Sequence, residues 1–165
     1  MPITEEQSLE FLSHSPEQTQ RLGVRIGELL KAGDLVCLAG DLGSGKTTLA
    51  QGIARGWGSL DQVTSPTFVL INEYRRADTS ILYHFDAYRL SGVGEAVDIG
   101  LEELLESAGP VLIEWPERVA EVLSPNRIWI SLRWVDDLRR GLHIEASGIR
   151  YERMLSKFRQ SAFGG

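Results

Sequence analysis

At 165 residues, 42% of them apolar and 24% charged, the chain has the length and composition of one globular domain with its own core. Its formal net charge of -6 argues against a broad basic surface clamped on nucleic acid. A single cysteine, Cys37, excludes an internal disulfide framework, and no apolar run nears the roughly 20 residues of a membrane span.

The opening "MPITEEQSLEF" is acidic and lacks the basic-then-apolar pattern of a secretory leader, so the expected location is the cytoplasm. "SPEQTQRLGVRIGELLKAGD" is punctuated as a helix. Ser15 is the N-cap, Pro16 fits the first turn, Gln18 completes a capping box and Gly33 is a stop. Leu22, Ile26, Leu29 and Leu30 fall on one face. "DLVCLAG" is continuously apolar, the pattern of a buried strand, with Cys37 as a plain core residue. A glycine-rich loop follows, then "TTLAQGIARGW", read as a helix interrupted at Gly52 and ended near Gly56.

"TFVLINEY" and "ILYHFDAY", separated by "RRADTS", have the aromatic and β-branched content of a hairpin. "LEELLES" reads as helix, "GPVLIEWPE" as a second buried strand broken at Pro116, and "ERVAEVL" as a short helix. "RIWISLRW" and "LHIEAS" flank "VDDLRRG" as a second hairpin. "YERMLSKFRQ" closes the chain as a helix, and the ending "FRQSAFGG" reads as a frayed tail. With no repeat and no linker, residues 1–165 are expected to form a single domain. The order of elements predicts an α/β fold, a P-loop NTPase-like three-layer sandwich. Its sheet would be mixed and mainly parallel, with antiparallel hairpins added at an edge.

The chemistry concentrates in "GDLGSGKTTL". Gly40, Gly45, Lys46 and Thr47 match G-x-x-x-x-G-K-[ST]. Glycines let the backbone turn its N–H groups inward as a nest for phosphate oxygens. Lys46 brings a positive charge to the β- and γ-phosphates, the Thr47 hydroxyl can ligate Mg2+, and the helix start offers its positive end. Asp41, Leu42, Gly43, Ser44, Gly45, Lys46, Thr47 and Thr48 are therefore the expected nucleotide contacts. No N-K-x-D segment reads guanine and no arginine-rich lid is present, which favours ATP.

A phosphate loop needs an acidic partner, commonly at the end of a neighbouring buried strand. Glu114, after Val111, Leu112 and Ile113, can hold Mg2+ directly or through water, or polarise the attacking water. Asp86 in "YHFDAYRL" can orient water or act on Mg2+ through its shell. His84 lies one strand period away on the same face, as a hydrogen-bonded structural histidine. Thr67 in "TSPTF" can sense the γ-phosphate as a switch threonine does. These residues suit an ATPase, a small-molecule kinase with Asp86 as base, or a nucleotide-dependent binding module whose hydrolysis is incidental.

The blocks "GDLGSGKTTL", "VTSPTFVLINEY", "YHFDAYRL", "DIGLEELL" and "VLIEWPE", in this order over residues 40–117, resemble the TsaE (YjeE) family. The resemblance implies an Mg2+-dependent ATPase of tRNA threonylcarbamoyladenosine (t6A37) biosynthesis. Its partners would be the threonylcarbamoyl-transfer proteins TsaB and TsaD, with tRNA met indirectly and ATP hydrolysis resetting the complex between turnovers. It assigns Lys46 and Thr47 to triphosphate and Mg2+, and Glu114 to Mg2+. Asp86 becomes the switch aspartate and Thr67 the threonine of the first switch-like segment. Trp115 falls beside the metal, and Thr19 and Arg140 in nucleotide-contacting regions outside the loop.

Overall fold

The computed structural model describes residues 7–62 and 71–163. The acidic opening leads into a strand the sequence reading did not anticipate, β1 (Ser8–Ser13). Helix α1 (Pro16–Leu29) starts as expected: the Ser15 hydroxyl accepts the Gln18 N–H at 3.1 Å. The Gln18 side chain reaches back to the His14 N–H at 2.6 Å, one residue outside the predicted box. Then come β2 (Leu35–Ala39) and α2 (Lys46–Trp57), followed by the antiparallel pair β3 (Ile71–Arg75) and β4 (Ile81–Asp86). Two short helices, α3 (Val93–Asp98) and α4 (Leu101–Leu105), lead to β5 (Val111–Glu114). The chain ends with the hairpin β6 (Arg127–Trp134) and β7 (Arg140–Ser147), and helix α5 (Ile149–Phe163).

Three local expectations are corrected. The segment over residues 117–123 forms two one-turn 3-10 helices, Pro116–Arg118 and Ala120–Val122, instead of one continuous helix. The ending is not frayed as far as Phe163, because α5 continues through it and the Phe163 ring packs 5.4 Å from Phe11. Helix α3 was not foreseen. Gly52 does not interrupt α2, which ends near Gly56 as expected, at Trp57, with Gly58, at φ 106°, as the left-handed stop.

The seven strands form one sheet in the order β1-β7-β6-β2-β5-β4-β3. Its middle, β6-β2-β5-β4, is parallel throughout, and the antiparallel hairpins sit at its edges, one at each. Strand β2 is buried on both faces. Val36 and Leu38 join the core under α1, α2 and α5, while Leu35 and Cys37 face the layer that holds Leu90, Leu101 and Val119. That alternation makes the three-layer sandwich. It also buries the Cys37 thiol, whose pKa rises to about 12, so the group packs as an inert hydrophobe.

Helices α1 and α2 pack through glycines. A Cβ on Gly52 would stand 2.1 Å from the Gln20 carbonyl oxygen, and one on Gly27 would stand 2.0 Å from the Ile53 carbonyl oxygen. The glycines that weaken α2 by propensity are what let the two backbones touch. Gly52→Ala gains about 1 kcal/mol of helix propensity, yet it forces the helices apart. The expected net result is a loss of about 2 kcal/mol, read as a lower urea midpoint with an unchanged slope. A stabilised variant would refute the close approach.

Candidate functional site

The carboxyl ends of β2, β5 and β4 come out at the same edge of the sheet, which is where open α/β sheets place their ligands. The loop that follows β2 turns tightly there. Gly40 has φ 145°, and a Cβ on it would meet the Leu132 carbonyl oxygen at 2.5 Å and Ser44 Oγ at 2.6 Å. Gly43 and Gly45 have φ 79° and 103°. Gly45 is the N-cap of α2 and offers no side-chain cap, so the first N–H groups of the helix point into the loop without a capping partner. Asp41, Leu42 and Gly43 are exposed at the loop's tip, Ser44 is buried, and Thr47 and Thr48 are half-buried in the first turn. The Leu42 side chain, 69% exposed, faces away from the loop's interior, which leaves its backbone as the useful part.

Lys46 is only 6% exposed. Its ammonium donates to the Gly40 carbonyl and, at 2.9 Å, to the Asp41 carbonyl, and lies 4.4 Å from the centre of the Trp115 ring. Burial lowers its pKa; the carboxylates of Glu114, Glu117, Asp86 and Asp41 pull the other way. Glu117 is a member of this ring that the sequence reading missed, since nothing in its spacing relates it to the loop.

Asp86 and Glu114 are direct neighbours in the parallel β4–β5 register and share the face that carries Leu82 and Leu112. Neighbouring strands lie about 4.8 Å apart, so the two carboxylates stand side by side. Burial raises the Asp86 pKa, an effect opposed by the Tyr88 N–H that Asp86 Oδ1 accepts at 2.9 Å and reinforced by Glu114. Glu114 is 4% exposed, and its Oε2 meets His84 Nε2 at 2.6 Å. Immediately after it, Trp115 takes a left-handed conformation, φ 58°, which turns the chain out of the sheet at Pro116. Its ring lies against Tyr88, centroids 4.9 Å apart.

Arg140 also comes to the loop. Its Nε would lie 3.9 Å from a Cβ on Gly45, while its Nη1 donates to the Arg139 carbonyl at 2.9 Å. Thr19 is 1% exposed, and its hydroxyl is 2.6 Å from Ser13 Oγ, so that hydroxyl serves the α1–β1 junction. Thr67 lies outside the described residues.

A triphosphate suits this set of groups. Among the described residues, the buried side-chain polar atoms with no hydrogen-bond partner are Ser44 Oγ and Arg140 Nε, and both lie at the loop. Also among the described residues, no cluster of three or more His, Cys, Asp or Glu side chains could hold a metal by itself. Mg2+ would take few protein ligands here, the Thr47 hydroxyl and Glu114, and the rest from phosphate and water, as is usual for this ion. No helix among the described residues is long and apolar enough to cross a membrane.

Residues 13–142 match the family described as "Threonylcarbamoyl adenosine biosynthesis protein TsaE". A Treponema pallidum protein named tRNA threonylcarbamoyladenosine biosynthesis protein TsaE is 41% identical over 133 residues, covering 81% of this chain and 97% of that one. The Bacillus subtilis protein of the same name is 38% identical over 144 residues, covering 87% and 89%. The crystal structure of Bacillus subtilis YdiB superposes with a TM-score of 0.78 at 32% identity, covering 94% of this chain and 96% of that one. With a glycine-rich loop facing paired carboxylates, and with a family model matched over residues 13–142 and relatives 41% and 38% identical over most of its length, the chain belongs to the TsaE family.

Proposed function

We propose that the chain is an Mg2+-dependent ATPase that supports t6A37 modification of tRNA, acting on the threonylcarbamoyl-transfer proteins TsaB and TsaD and not on tRNA directly. The observation that carries the ATPase reading is the convergence of an uncapped helix start, Lys46 and the Asp86–Glu114 pair at one edge of the sheet. The N–H groups of residues 41–48 cradle the phosphates. Lys46 leaves its carbonyl partners for the β- and γ-oxygens. The Thr47 hydroxyl and Glu114 would hold Mg2+, which when bound would supply neutralising charge to the triphosphate. Asp86 orients the attacking water, and burial, which raises its pKa, makes its carboxylate a stronger base than a solvated aspartate. Arg140 approaches from the β6–β7 hairpin, the side of the loop away from the carboxylates.

Reconstitution with TsaB, TsaD, unmodified tRNA, threonylcarbamoyl donor and Mg2+-ATP tests the whole reading. The expected result is modification beyond one turnover per complex only when the chain and hydrolysable ATP are both present, with ADP and phosphate as products. Modification indifferent to ATP hydrolysis would sink the assignment. A phosphorylated metabolite formed in step with ADP would instead show a kinase.

A further inference from the structure

Three side chains on three adjacent strands form a continuous line that ends at Glu114. Tyr74 on β3, His84 on β4 and Glu114 on β5 are 3%, 0% and 4% exposed. None is directly opposite the next: Tyr74 faces Leu82 in register, and His84 faces Leu112. They meet along diagonals, which only long side chains can span. The Tyr74 hydroxyl is 2.8 Å from His84 Nδ1, and His84 Nε2 is 2.6 Å from Glu114 Oε2.

The hydrogen-bond chemistry gives this line a direction. An ionised carboxylate can only accept, so His84 donates through Nε2. In the neutral imidazole that leaves Nδ1 as the acceptor for the Tyr74 hydroxyl. Burial pushes the Tyr74 phenol up to about 12, so it keeps the proton it donates. The result reaches beyond a satisfied core histidine. The terminal torsion of a glutamate is soft, and holding Oε2 also fixes where Oε1 points. Asp86, the like charge beside it, would otherwise push the carboxylate out of place. Asp86 is tethered by a separate device, the Tyr88 N–H.

We infer that His84, backed by Tyr74, is a positioning residue that sets the Glu114 carboxylate for Mg2+; this rests on the metal role proposed above for Glu114. Partners of this kind, one bond removed from a ligand, typically change metal affinity by about 10-fold to 100-fold when removed.

The test compares His84→Asn, His84→Gln, Tyr74→Phe and Glu114→Gln. Each is checked for folding by thermal melt, for metal-free ATP affinity by calorimetry with chelator, and for Mn2+ affinity of the ATP complex by electron paramagnetic resonance. The shorter amide of asparagine takes the place of Nδ1 and loses the donor to Glu114; the longer one of glutamine takes the place of Nε2 and keeps it. His84→Asn should weaken Mn2+ binding about 10-fold or more, with metal-free ATP affinity unchanged. His84→Gln should restore most of it, and Tyr74→Phe should give a smaller shift in the same direction. Should His84→Asn fail to fold, a Tyr74→Phe variant that binds Mn2+ like wild type overturns the relay. So does a folded His84→Asn with unchanged Mn2+ affinity while Glu114→Gln is weakened. If Glu114→Gln itself binds Mn2+ normally, the metal role of Glu114 fails, and the relay with it.

Discussion

Lys46→Ala is expected to reduce ATPase kcat/KM by about a hundredfold to a thousandfold, the usual effect of removing one preorganised charge from a phosphoryl-transfer site. ATP affinity should fall with it, because the loop's backbone donors alone then oppose the triphosphate charge. The fold should hardly notice. Lys46 is a buried cation whose pKa is lowered by burial, so removing it relieves a desolvation cost. Alanine is also the better helix former at the start of α2. The bonds to the Gly40 and Asp41 carbonyls are lost, but both residues reach solvent, and water can replace the ammonium. Unfolding free energy should move by about 1 kcal/mol or less. Nucleotide titration and a urea melt on the same preparation check both halves. A variant that binds and hydrolyses ATP like wild type would remove Lys46 from the mechanism.

Glu114→Gln should cut turnover by about a hundredfold or more while ATP still binds. The substitution is chosen for the buried contact behind it. Glutamine can still accept from His84 Nε2 with its carbonyl oxygen, so the core bond survives and the change removes only the charge facing the loop. Glu114→Ala would confuse two effects. It leaves a fully buried imidazole donor without an acceptor, which costs about 1–3 kcal/mol of stability besides any catalytic loss. Single-turnover hydrolysis, a binding isotherm and a melt on both variants separate them. Unchanged hydrolysis in Glu114→Gln would transfer the acidic role to Asp86.

The loop, the two hairpins and the strand ending at Glu114 were legible because their signals are local. A glycine-rich turn, an alternating strand and a capped helix are each determined by residues a few positions apart. β6 appears over the residues its alternation predicts, Arg127–Trp134. β1 was invisible for a corresponding reason. "SLEFLS" has half-buried residues and weak patterning, and it becomes a strand by pairing with β7 from across the chain. Gly52 misled in the opposite direction: its propensity argues for a break, while the contact that makes a glycine necessary lies on another helix.

By itself, the sequence singled out the candidates for chemistry: Lys46 and Thr47 through a motif, Glu114 and Asp86 as acidic ends of apolar strands. It also determined the α/β class, since buried runs and helical segments alternate along the chain. Only the tertiary structure decided how these residues stand to one another. It put Glu114 and Asp86 side by side, brought Arg140 to Gly45, and tied Thr19 to Ser13. It gave His84 its two partners from separate strands. The reason is physical: motif spacing records contacts along one chain segment, whereas strand order and register determine which distant side chains share a face. A buried carboxylate must find its hydrogen-bond partner on that shared face.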